Sequence, residues 1–185
     1  MCMKSRCPLL LCVVLTTLFS CADSTTVDNS TVKAFDLHRF LGSWYELARY
    51  DHRFERGLSH CTAHYALKSD GTIEVRNQGR REGKIHESLG KAKTTAISGL
   101  LRVSFWGPFY SDYRVLMLAS DYSYALVGSG SAKYLWILSR TPQLPKKTLS
   151  AILHEATRRG YDTSKLIWVN HGVNLASIGP HAVPR

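Results

Sequence analysis

From Phe35 to Arg140 the chain is a succession of short strand-like segments divided by Gly, Asp and Ser, with no helical period among them. Eight segments fit: Trp44 to Tyr50, His60 to Leu67, Thr72 to Gln78, Gly83 to Lys93, Leu100 to Phe105, Asp112 to Ala119, Tyr122 to Gly128 and Lys133 to Arg140. Ser69-Asp70-Gly71 is a hairpin signal between the second and third, and the other connections also carry turn residues, so sequential antiparallel pairing is the simplest topology. Val115-Leu116-Met117-Leu118 and Leu135-Trp136-Ile137-Leu138 are apolar on both faces, so something apolar must cover each side. Closing eight strands into a barrel covers one side, with an interior able to hold side chains or one small ligand. The other cover is legible after Pro145, where Leu149, Ile152, Leu153 and Ala156 recur at helical spacing. Arg158 and Arg159 suit the C-terminal dipole of that helix, and Gly160 can end it. The fold class is therefore all-β: an eight-stranded antiparallel up-and-down barrel, a C-terminal α-helix packed on its wall, and a short extended segment from Lys165 to Asn170.

The N-terminus reads as an address. Lys4 and Arg6 precede the apolar run Leu9 to Leu18, which is too short to span a bilayer as a mature helix. The run ends in Leu18-Phe19-Ser20-Cys21, which resembles the bacterial lipobox, where the Cys receives diacylglycerol and becomes the new N-terminus; Phe19 is bulkier than that pattern usually has. Ala22, rather than Asp, follows the Cys, and in the bacterial sorting pattern this implies the outer membrane. Residues 22–33 are rich in Ser, Thr, Asp and Asn and read as a flexible tether. The organisation expected is a signal peptide over 1–20, a lipidated tether over 21–34, the barrel and helix over 35–172, and a flexible tail over 173–185. Two or more acyl chains on Cys21 would hold such a protein stably at a membrane.

Of five cysteines, Cys2, Cys7 and Cys12 leave with the signal peptide and Cys21 takes lipid, so only Cys61 remains in the domain. A lone thiol excludes an internal disulfide framework and a multi-Cys zinc site, and nothing in the chain calls for a cofactor. The net charge of +10 keeps the mature chain basic, because the signal peptide removes only Lys4 and Arg6. Yet Lys and Arg are scattered in ones and twos without a basic run or recognition motif, so nucleic acid is not an expected partner. Four Trp, nine Tyr and six Phe suit either a packed core or an apolar cavity.

Three pieces recur in an order known from one family: Gly42-Ser43-Trp44 at the first strand, Ser120-Asp121-Tyr122 between the sixth and seventh, and Arg140 at the end of the eighth. With longer runs such as Phe105-Trp106-Gly107-Pro108-Phe109-Tyr110, they resemble the lipocalins, specifically the bacterial outer-membrane branch related to apolipoprotein D. Ser120 stands where the family usually has Thr. The resemblance implies that Gly42, Trp44, Asp121, Tyr122 and Arg140 are fold residues, with Trp44 closing the barrel floor and Arg140 packed across it. It also implies lipid binding, and it allows a homodimer.

Ligand contacts are then expected nearer the mouth. By strand parity Glu46 and Ala48 share the face of Trp44, and Trp136 shares that of Arg140. Trp136 is the leading cavity candidate and Tyr110 the next, each offering apolar area and one polar handle. The loop Asp51 to Leu58 corresponds to the family's lid, where Arg53 and Arg56 could meet an anionic headgroup. The function expected is storage or transport of fatty acids or lysophospholipids at the outer membrane, without catalysis. A Cys61-dependent lipid isomerase is the alternative, requiring an inward, activated thiol although parity turns His60 and His64 away from it. A ligand-free structural envelope protein is a further one, requiring a barrel filled by side chains.

Overall fold

The computed structural model describes residues 26–172; Cys21 and residues 173–185 lie outside the described residues. A single turn of helix, α1 (Leu37–Phe40), leads into β1 (Gly42–Tyr50), β2 (Ser59–Leu67), β3 (Ile73–Arg81), β4 (Lys84–Thr94), β5 (Leu100–Trp106), β6 (Phe109–Leu118), β7 (Tyr124–Gly128) and β8 (Leu135–Ser139). Helix α2 (Lys146–Arg158), a 3-10 turn (Thr163–Lys165) and β9 (Leu166–Trp168) follow. Each of the eight expected strands is present. β7 starts two residues late because Tyr122 takes φ 63° in a turn where the Asp121 carboxylate accepts from Ser123 N at 3.0 Å and Ser123 Oγ at 2.7 Å.

Pairing is antiparallel throughout in the order β2-β3-β4-β5-β6-β7-β8-β1, and β1 closes onto β2. The loops after β1, β3, β5 and β7 therefore gather at one end, the mouth, and α1 with the loops after β2, β4, β6 and β8 at the other, the floor. β1 pairs with β2 only over Gly42 to Tyr45; further along, Ala48 to Tyr50 pair with β9 instead. The register of β1 against β8 slips between Glu46 and Ala48. This bulge carries both Leu47 and Ala48 into the outer core, correcting the parity expected for Ala48, and turns Arg49 inward.

The two-sided apolar strands are explained by two cores. Inside the barrel, Phe40, Trp44, Tyr65, Val75, Val103 and Leu138 belong to one cluster. Outside, Leu47, Leu116, Leu126 and Ile137 meet Leu149, Ile152 and Ala156 of α2. Burying Leu149 and Ile152 contributes about 1.5–3 kcal/mol each. Beyond α2, Gly160 takes φ +89°, the left-handed conformation that ends a helix at little steric cost.

The stretch ahead of Phe35 differs from the tether expected of it. Val32 N donates to Val115 O at 2.9 Å and Asp28 N to Arg159 O at 2.8 Å. The nearly buried Arg159 guanidinium donates to Ser30 O at 2.8 Å and, on its other side, to Leu116 O at 2.7 Å. Residues 28–32 thus form a strap along the outer wall, held through its own backbone and so invisible to a hydropathy pattern.

Candidate functional site

The floor is closed by aromatic rings and by Arg140. Phe40 lies 4.8 Å from Trp44 and 5.4 Å from Tyr65 between ring centres, and the Tyr65 and Tyr113 hydroxyls meet at 2.8 Å. The Arg140 guanidinium sits 3.8 Å above the Trp44 ring and donates to Ser43 O at 2.7 Å, Arg39 O at 2.9 Å and Leu41 O at 2.9 Å. It thereby satisfies carbonyls that the end of α1 leaves open. Gly42 enters β1 at φ +89°, with Arg140 Nη1 3.5 Å from where a Cβ would stand. The Tyr122 hydroxyl accepts from Asp36 N at 2.7 Å, and Arg39 stacks over its ring. Gly42, Trp44, Asp121, Tyr122 and Arg140 therefore all lie at the floor, away from the mouth.

Toward the mouth the interior becomes polar. Arg49, 2% exposed, donates through Nη1 to Glu46 Oε1 at 2.7 Å, and its Nη2 bonds the Glu55 and Leu58 carbonyls of the loop over 51–58. From that loop His52 and Glu55 turn inward. Glu55 Oε2 lies 3.1 Å from His52 Nε2, 3.5 Å from Trp136 Nε1 and 3.7 Å from Arg49 Nε. Neither the approach to His52 nor the longer one to Arg49 Nε makes a hydrogen bond, and among the described residues these buried nitrogens have no partner. Trp136, half-buried, stacks on Tyr134 with ring centres 5.7 Å apart and planes 6° from parallel, and His52 meets it edge-on at 5.4 Å.

One guanidinium thus faces two carboxyl groups, all three largely buried. Burial pushes the Glu46 carboxyl up to about 8, the Glu55 carboxylate adding to the rise while Arg49 opposes it. Burial also works against ionising Glu55, but His52, Arg49 and Trp136 together hold it below its ordinary value. Cys61 faces this cluster, its Sγ 3.8 Å from Arg49 Nη1. Burial, followed by the Glu46 charge, pushes the thiol up to about 12. His60 is turned outward against Ser59 Oγ, and His64 against Ser43 Oγ.

Residues 35–171 match the lipocalin-like domain model, most of the chain. The chain is a lipocalin. It is 48% identical over 144 residues to the outer membrane lipoprotein Blc of Escherichia coli, covering 76% of this chain and 81% of that protein. It is 34% identical over 144 residues to apolipoprotein D of Mus musculus, covering 71% and 75%. Among solved structures, insecticyanin from the tobacco hornworm Manduca sexta superposes with a TM-score of 0.63 at 22% identity, covering 76% of this chain and 83% of that one, a likeness of fold.

Within this lipocalin the expected site residues separate. Trp136 is at the inner wall beside the polar cluster. Tyr110, expected to line the cavity, is on the outer wall, with Lys93 at 5.1 Å and Lys91 at 5.9 Å from its ring centre, in a shallow groove of about 580 Å³. The reason is register: β6 begins at Phe109, and Tyr113 and Val115 are its inward residues, so Tyr110 has the opposite parity. Arg53 and Arg56 point to solvent rather than to the interior. Arg56 is bound to Asp51 at 2.6 Å with both groups well exposed, and Arg53 lies 5.8 Å from the Phe54 ring centre. The inward residues of the lid, His52 and Glu55, and their wall partner Arg49 escaped sequence reasoning. A His and a Glu three apart in a loop were the available signal.

Apolar side chains also stand exposed at the rim of this lipocalin. Trp106 and Phe109, 75% and 79% exposed, flank the Gly107-Pro108 turn between β5 and β6, and Phe54 projects from the lid.

Proposed function

We propose that this lipocalin carries a single-chain lipid, a fatty acid or lysophospholipid, in its barrel while held at the bacterial outer membrane through lipidated Cys21. The observation that carries the reading is the division of the interior: apolar walls such as Val75, Val103 and Val127, and above them one buried polar cluster under a loop. That division matches an amphiphile with one tail and one head. Each methylene placed against the wall contributes about 0.8 kcal/mol, so one long chain gains much, while a second would need more volume than eight strands enclose. The signal peptide, the lipobox-like Leu18 to Cys21 and the likeness to a protein named outer membrane lipoprotein support the location. Exposed Trp106 and Phe109 at the rim support a membrane beside the mouth. The raised Cys61 thiol and the outward His60 count against the isomerase reading, since thiolate chemistry needs a lowered pKa or an adjacent base.

The test is native mass spectrometry of protein purified without detergent, followed by organic extraction. Co-purifying single-chain lipid is the expected result; a barrel that neither carries nor takes up any lipid would refute the proposal.

A further inference from the structure

The groups around Glu55 divide into fixed and movable. Arg49 and Trp136 belong to β1 and β8, paired strands of the wall, whereas Glu55 and His52 belong to the loop that joins β1 to β2. The fixed donors are poorly served by the carboxylate they face. Among the described residues, Arg49 Nε is buried without a hydrogen bond 3.7 Å from Glu55 Oε2, and Trp136 Nε1 lies at 3.5 Å from the same oxygen. Charge-assisted hydrogen bonds ordinarily close to about 2.7–2.9 Å. The loop backbone sets this standoff, because Arg49 Nη2 already clasps the Glu55 and Leu58 carbonyls and fixes how far the side chain reaches.

We propose that the Glu55 carboxylate is a resident stand-in for the ligand's anionic head, and that a lipid enters by exchanging its own carboxylate or phosphate for Glu55 at Arg49 Nε and Trp136 Nε1. The inference rests on the lipid-carrier reading and deepens it. Two carboxyl groups already share a single guanidinium, so an anion entering beside Glu55 would add a negative charge that no cation of the cluster balances, and exchange is the arrangement that keeps the charge of the cluster constant. Expelling Glu55 displaces the loop that covers the mouth, so head recognition and lid opening become one event. Arg49 and Trp136 then select an anionic oxygen head over a neutral one.

The experiment compares a fluorescent polyene fatty acid with its methyl ester on the wild type, Glu55→Gln and Trp136→Phe. Glu55→Gln removes the competing charge and is expected to tighten the acid about tenfold, roughly 1.4 kcal/mol, with the ester unchanged. Trp136→Phe keeps an aromatic ring of smaller area, removes the donor, and is expected to weaken the acid severalfold more than the ester. Displacement of the bound acid by oleate and by lysophosphatidylglycerol, both strengthened in Glu55→Gln, distinguishes carboxylate from phosphate by their order. Equal gains for acid and ester in Glu55→Gln would show a merely loosened lid and overturn the exchange, as would no gain for either, with the carrier reading intact. Failure of every form to bind either probe would overturn both.

Discussion

Replacing Arg140 with Ala removes one side chain that serves two purposes at the barrel floor. Its guanidinium lies 3.8 Å above the Trp44 ring, a cation-π contact worth about 0.5–2 kcal/mol. It also bonds the Ser43, Arg39 and Leu41 carbonyls, each such bond contributing about 1 kcal/mol when partly exposed groups regain water on its loss. The combined loss is on the order of 3 kcal/mol, discounted because the contributions share one group and do not add fully. At about 2–4 °C per kcal/mol for a domain of this size, the melting temperature should fall by roughly 6–12 °C. Thermal unfolding by circular dichroism measures this, beside titration of a fluorescent fatty acid at a temperature where both proteins are folded. Arg140→Lys should recover part of the loss, since an ammonium keeps the charge but not the fork that reaches several carbonyls. An unchanged melting curve with lost binding would refute the reasoning, placing Arg140 in the ligand site instead of the floor.

Four further outcomes are expected. Palmitate labelling of cells should mark the wild type and not Cys21→Ala. Because the Glu46 carboxyl is raised to about 8 in the fold from an ordinary 4.5, the folded state holds the extra proton between those values. Stability in urea should therefore fall as pH rises through that window, and the slope should flatten in Glu46→Gln. Trp136→Ala should weaken acyl-lipid binding by about tenfold or more in a fluorescence titration, whereas Tyr110→Ala, on the outer wall, should leave it within twofold. Trp106→Ser combined with Phe109→Ser should weaken binding of the Cys21→Ala protein to phospholipid vesicles about tenfold in a flotation assay, with little change in melting temperature.

The barrel was legible because its evidence is local and repeated. Turn residues such as Asp70-Gly71 divide the strands, and runs apolar on both faces, such as Val115 to Leu118, require the two cores that the structure shows. Helix α2 was legible from Leu149, Ile152 and Ala156 for the same reason. The upper site was not, because it depends on a bulge. Leu47 and Ala48 are ordinary strand residues, and either could face either side of a wall with apolar cover on both, so nothing local marks where parity slips and Arg49 turns inward. Tyr110 failed through a boundary: counting β6 from Asp112 leaves Phe109 to Ser111 in a loop, where parity has no meaning. In the lid, charge drew attention to Arg53 and Arg56, but a nearby acid and open solvent satisfy Arg56 outside. His52 and Glu55 meet the Trp136 ring and Arg49 only once β1 and β8 lie side by side.

The strap over residues 28–32 has a mechanical consequence. A pull on the chain ahead of Thr26 does not act first on α1 and the ring-packed floor. It must part Asp28 from Arg159, then Ser30 from the same guanidinium, then Val32 from Val115, before tension reaches Phe35. These bonds run along the outside of β6 and the end of α2, so early rupture releases slack without opening the interior. The strap is a strain relief, which takes up a pull on the chain's leading end before the inner core of the barrel is loaded.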